Sequence, residues 1–279
     1  MFDDRHRRPH GRAWAVAART AIAVSLLFFF PLVARARDCG DNVAGSRIAC
    51  ACGDTVISDT VLAVSDPVVN GRCPHGGLVI DANPFAETLT LDLHGLSLVG
   101  TGEGDGILVH SGGSDGAVIT GGAGDHRAQV VGFSDGIHVP TGRSVRRIEK
   151  LEIKGQRRHG LLLQMTGTLV LDVRATRNGG DGLRVSGQGG RLLGIEASEN
   201  AGAGLRVQTR YTIIRADARR NADSGIVLHG YRDDVSECVA NDNKGFGIIL
   251  GGSNNKLDRV ETTGNSRGGI GTINRRDQS

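Results

Sequence analysis

One repeating unit constrains this chain more than any other feature. A glycine followed by aliphatic, any residue, aliphatic recurs with its glycine at 77, 106, 136, 160, 182, 204, 225, 247 and, in degenerate form, 269. The spacings are 29, 30, 24, 22, 22, 21, 22 and 22 residues. A unit this short cannot bury its own apolar face, so units must stack into a solenoid. A second column holds the register. Asn178, Asn200, Asn221, Asn243 and Asn265 each stand four residues before a repeat glycine, and Gln156 takes that place one coil earlier. Asparagine tolerates left-handed backbone and bonds neighbouring main chain. A surface turn would accept Ser, Asp or Gly as readily, so a pure asparagine column predicts an inward, satisfied polar stack.

Between these marks the pattern has period two, as strands require. Val170, Leu192, Ile213, Val235 and Leu257 form one inward column. Val173, Ile195, Ala216, Cys238 and Val260 form another, and Ala175, Ala197, Ala218, Ala240 and Thr262 a third. Cys238 therefore reads as a buried, inert thiol. Like residues over like require parallel strands, and parallel crossovers are right-handed in nearly all proteins. The reading is an all-β chain: a right-handed parallel β-helix over residues 76–279, with roughly 22 residues per coil and eight or nine coils. The 43 glycines among 279 residues fit neither collagen, for want of a Gly-X-Y period, nor a coiled coil.

Residues 1–36 read as a cleaved secretory signal, with an uncleaved anchor as the alternative. A basic start leads into the apolar run 20–33, then Ala34-Arg35-Ala36. The run is shorter than the ~20 residues of a membrane span. The expected location is extracellular or periplasmic, with no stable membrane span after cleavage. The segment holds six arginines and two aspartates, so the remaining chain has a net charge of −1 against +3 for the whole. The electrostatic case for a nucleic-acid partner leaves with it. Cys39, Cys50, Cys52 and Cys73 crowd residues 37–75, which read as a disulfide-bonded N-terminal cap. Of three possible pairings, one needs a strained Cys50–Cys52 bond. Cys39–Cys50 with Cys52–Cys73 is favoured, and the third stays open.

The coils, with their Asp-Gly-aliphatic starts at Asp105, Asp135 and Asp181 and their asparagines, resemble the pectate-lyase-like superfamily of β-helix proteins. Upstream, Cys52-Gly53-Asp54-Thr55, Cys73 and Leu89-Thr90-Leu91-Asp92-Leu93-His94-Gly95 resemble the cap and first coil of its secreted bacterial members, where His94 is usually Asn. The resemblance covers residues 76–272 and implies the fold more than any chemistry. It admits a polysaccharide lyase or a uronan epimerase, and such enzymes use carboxylate-bound calcium. The nearest local match is Glu196 and Asp217 on adjacent coils; arginine pairing is the alternative to a calcium cofactor there.

Alternation along the strand after each repeat glycine points the second and fourth residues outward. Coil by coil these are His138, Gln164, Arg184 with Ser186, Arg206 with Gln208, and then His229. Arg184 and Arg206 stack directly, with no carboxylate in their column, which is costly unless anions lie between them. Arginine forks suit carboxylates, and Gln, Ser and His suit hydroxyls. The expected partner is an acidic, uronate-containing polysaccharide, which the protein binds, with processing as a lyase or epimerase as the further option. The competing expectation is a non-catalytic structural or adhesin-like surface module.

Overall fold

The computed structural model describes residues 36–83, 85, 88–122, 124 and 126–273. The expected secretory signal, apart from Ala36, and the tail at 274–279 lie outside the described residues. The chain is an all-β solenoid of about ten coils. Each full coil presents three faces, whose strands or single bridges align in parallel with their counterparts in the next coil, and Leu183–Leu193 and Leu205–Ile214 run across two of these faces. On the first face Leu161–Leu163 pairs with the start of Leu183–Leu193, which pairs with Leu205–Ile214 and then Ile226–Leu228. On the second, Val170, Leu192, Ile213, Val235 and Leu257 are in register. On the third, Arg174, Glu196, Asp217, Val239 and Glu261 align, by single bridges at the later steps.

The core is the set of inward columns. Val170, Leu192, Ile213 and Val235 are fully buried, as are Ala175, Ala197, Ala218 and Ala240. Each large aliphatic so buried contributes about 1.5–3 kcal/mol. Cys238 is buried and unbridged; its sulfur donates to Ser236 O at 3.1 Å, and burial pushes the thiol pKa up. The repeat glycine is required by close approach. A Cβ on Gly182 would lie 2.7 Å from Gly204 O and 2.8 Å from Asn200 Nδ2. The coils pass too near each other at this corner for any side chain.

That corner is built by the asparagines. Nδ2 of Asn178, Asn200, Asn221 and Asn243 donates to Oδ1 of the next asparagine at 2.9, 3.1, 3.0 and 2.9 Å. The same Oδ1 atoms accept the main-chain N–H of the coil before. Gln156 joins through its N–H to Asn178 Oδ1 at 3.1 Å. The left-handed residue of this corner is not the asparagine but its predecessor: Arg177, Glu199, Arg220 and Asp242 have φ of 56°, 60°, 53° and 58°. Of these, Arg177 and Arg220 both pair across coils with Glu199.

The cap contains the disulfides Cys39–Cys50 and Cys52–Cys73. Parallel stacking begins inside it. Thr55–Val56 pairs with Val79–Ile80 on one side and Asp38–Cys39 on the other. This explains the count above eight or nine: these rungs lack a repeat glycine and were invisible to the motif. Asp38–Val43 also pairs antiparallel with Ser46–Ile48. His94 adopts φ 50° with its N–H on Asp92 Oδ1, a conformation asparagine takes most readily. Among the described residues no helix is long and apolar enough to cross a membrane.

Candidate functional site

In Leu183–Leu193, Arg184 points outward between buried Leu183 and Val185, and it is in register with Arg206. Arg184, Ser186, Arg206, Gln208 and His229 line one open cleft of about 360 Å³. Gln164 lies in an adjoining cleft of about 540 Å³ with Arg143 and Ser144, and Ser186 lines both. His138 lines neither; its Nδ1 is 2.8 Å from Asp105 Oδ2 of the preceding coil. Five of the seven outward residues thus converge, Gln164 adjoins them, and His138 is oriented by a carboxylate.

The electrostatics differ from the sequence expectation. Arg206 Nε lies 2.9 Å from Asp181 Oδ2, its Nη2 is 3.0 Å from Asp223 Oδ2, and its Nη1 is 3.2 Å from His229 Nε2. Burial works against the Arg206 cation, but Asp181 and Asp223 hold its pKa above the ordinary value. Arg184 is the looser partner. Its side chain is 50% exposed and its contact with Asp181 spans 3.9 Å. The stacked arginines therefore need no bound anion to coexist. Asp181 stands in the turn before its own coil, yet reaches along the rod to the next, where it also accepts Ala203 N–H.

Sequence reasoning passed over a second row. Asp105, Asp135, His159 and Asp181 each stand immediately before a repeat glycine. Read singly, Asp-Gly is ordinary turn chemistry. Read as a column, the recurrence was a signal. His159 N–H donates to Asp135 Oδ1 at 2.8 Å, and its Nδ1 accepts Asp181 N–H at 3.0 Å. Burial lowers the His159 pKa, against Asp181 and Asp135, which raise it. The His229 pKa is lowered by burial and then by Arg206 and Arg184. Both shifts favour the neutral imidazole, and with Nδ1 accepting from Asp181 a neutral His159 carries its proton on Nε2. The cleft therefore offers one loosely paired cation, one tightly paired cation and neutral donors.

Glu196 and Asp217 are adjacent across an isolated bridge, as expected. They do not fit a calcium site. Arg174 Nε holds Glu196 Oε2 at 2.6 Å, and Arg219 Nε holds Asp217 Oδ1 at 2.5 Å. Among the described residues no group of three or more His, Cys, Asp or Glu side chains is placed to hold a metal ion.

With the geometry in place, the sequence matches the model of the right-handed β-helix region over residues 135–279, just over half of its length. The chain belongs to this family. The match opens at the Asp135-Gly136 turn, where the coils begin to shorten toward 22 residues. No curated protein matches the sequence. Among solved structures this β-helix is similar to the enzymatically active domain of tailspike protein 2 of bacteriophage CBA120, with a TM-score of 0.54 at 13% identity. The similarity covers 82% of this chain and 38% of that one, so the β-helix spans well under half of the tailspike chain. At such identity the likeness speaks for the fold alone.

Proposed function

We propose that this β-helix is exported and binds an acidic, uronate-containing polysaccharide on the outward face of its first strands. The observation that carries the reading is the convergence of Arg184, Ser186, Arg206, Gln208 and His229 on one open cleft. Arg184 is the docking cation for a sugar carboxylate, because it is half exposed and only loosely met by Asp181. Arg206 is the frame: fixed by Asp181 and Asp223, it presents a rigid edge rather than a mobile charge. Gln208, Ser186 and the neutral His229 supply hydroxyl contacts. The two disulfides suit an oxidising compartment. Processing as a lyase or epimerase would require a base at the sugar ring. His138, with Nδ1 directed at Asp105, is the imidazole oriented for that task.

The test is calorimetry with oligogalacturonate at low salt. Arg184→Ala removes the docking cation with little structural consequence and is expected to abolish binding. If wild type takes up no acidic glycan, the face is surface only. The alternative, a structural or adhesin-like module, is favoured by the cross-coil ion pairs of Arg174–Glu196, Arg177–Glu199 and Arg259–Glu237, which lace the outer ridges. It gains if acidic and neutral glycans both fail to bind.

A further inference from the structure

We propose that Tyr231, backed by Arg210, forms a stacking subsite beside the cleft and makes the site selective for oligosaccharides over single sugars. The inference rests on the binding reading above and extends it. Arg210 follows Gln208 by two residues and Tyr231 follows His229 by two, so both emerge where the cleft ends. The Arg210 guanidinium lies 5.5 Å from the Tyr231 ring centroid. The Tyr231 carbonyl accepts Arg210 N–H, while the next residue, Arg232, donates to Ser253 O, both at 3.1 Å. The backbone of Tyr231 is thus tied to the coil before and, through Arg232, to the coil after, while the residue remains 40% exposed.

The following coil keeps it open. At this turn that coil reads Gly251-Gly252-Ser253. A Cβ on Gly252 would fall 2.1 Å from Gly230 O, so the backbones touch beside the tyrosine, and the residue one coil on from Tyr231 is the small Ser253. Phe85, the other strongly exposed aromatic among the described residues, belongs to a distant early coil. A tyrosine held by a cation on one side and uncovered on the other is a preorganised apolar platform with a polar rim. The carbon-bound hydrogens of a pyranose ring suit it. A sugar whose carboxylate sits at Arg184 would place the ring of a neighbouring sugar toward Tyr231. The ligand class is therefore an acidic oligosaccharide of at least two residues.

The experiment titrates wild type, Tyr231→Ala, Tyr231→Phe and Arg184→Ala with galacturonate monomer and with oligogalacturonate, by calorimetry at low salt. Thermal midpoints check that each variant is folded. Tyr231→Ala is expected to weaken oligomer binding about tenfold, the upper range for one aromatic contact, and to leave monomer binding unchanged. Tyr231→Phe keeps the ring and is expected to retain oligomer affinity. Arg184→Ala loses both ligands. Oligomer binding by Tyr231→Ala equal to wild type, with Arg184→Ala still inactive, would overturn the subsite and leave the binding reading standing. An equal loss of monomer and oligomer in Tyr231→Ala would also overturn it, as a general disturbance of the cleft. Absence of binding by wild type overturns both proposals together.

Discussion

Two corners of the rod use the same hydrogen-bonding device with different side chains. At the asparagine corner, each side-chain oxygen accepts the main-chain N–H of the coil before, and each amide nitrogen donates onward. Asn221 illustrates it, with Nδ2 on Ala197 O at 2.9 Å and on Asn243 Oδ1 at 3.0 Å. At the corner leading out of the cleft, the stacked residues are Tyr211, Asp233 and Asn255. Asp233 Oδ1 accepts Tyr211 N–H at 2.8 Å, and Asn255 Oδ1 accepts Asp233 N–H at 3.0 Å. The acceptor half of the device is intact. The donor half is not. Asn255 Nδ2 donates to Gly230 O and Gly251 O, whereas Asp233 Oδ2 and the Tyr211 hydroxyl are buried with no hydrogen-bond partner. A carboxylate in an asparagine's place lacks the two protons that the site calls for. The satisfied corner is built for stability. The unsatisfied one sits under the turn that carries His229 and Tyr231.

Breaking the satisfied corner has the largest expected effect. Asn221→Ala removes two donated and two accepted bonds and leaves main-chain partners buried, which costs about 1–3 kcal/mol. Denaturant unfolding would show it as a lower midpoint. A midpoint equal to wild type would remove the distinction between the corners.

The next effect is opposite in sign. Burial raises the Asp233 pKa from 3.8 to about 6, and the backbone N–H groups of Tyr211 and Arg210 only partly offset it. Tyr211 is the titratable group stacked against it, and Arg210, Arg232 and Asp234 flank it in the turn. The folded state therefore holds a proton that the unfolded chain has released, between about pH 6 and pH 3.8. Stability is lowest above pH 6 and rises as acidification carries Asp233 through this window, by about 1–2 kcal/mol after allowing for partial screening. Asp233→Asn supplies the missing donor. It is expected to raise the unfolding free energy at pH 8 by a similar amount and to flatten this part of the pH profile. A variant with unchanged stability at pH 8 would show that the carboxylate finds a partner. Tyr211→Phe sharpens the same point, because deleting an unpartnered buried hydroxyl is expected to stabilise by about 1 kcal/mol in the same assay.

The corners also mark how far the sequence could be read. The asparagine corner was legible because its residues are identical and evenly spaced, and the Cβ clash at Gly182 explains why glycine accompanies them. The disulfides were legible in part: the cost of a Cys50–Cys52 bond removed one of three pairings, and the structure chose Cys39–Cys50 with Cys52–Cys73. The second corner was not, because Tyr211, Asp233 and Asn255 share no residue type, and the register slips here from 21 to 22 residues. The same limit applied to the cleft. Alternation gave the outward direction of Arg184 and Arg206, since direction follows from strand parity alone. It could not give the reach of Asp181 and Asp223, whose turn side chains meet Arg206 from the coil before and the turn after by rotamer rather than by register.

The smallest expected effect separates the two cleft arginines. They occupy equivalent positions one coil apart, so sequence treats them alike. Arg206 is 23% exposed and shared by two carboxylates, one of which, Asp181, is 5% exposed. Arg206→Ala would strand that buried carboxylate without its closest cation, and such a loss costs more than a surface pair, on the order of 1 kcal/mol. Arg184 is half exposed and meets the same carboxylate only at 3.9 Å. Its removal is expected to shift stability by less than about 0.5 kcal/mol. Thermal unfolding of both single variants, without ligand, measures the difference directly. If the two melt alike, Asp181 does not distinguish them, and the double variant becomes a fair probe of binding. If Arg206→Ala alone melts early, loss of glycan binding in the double variant would mix a damaged frame with a missing contact, and only Arg184→Ala reports on the ligand.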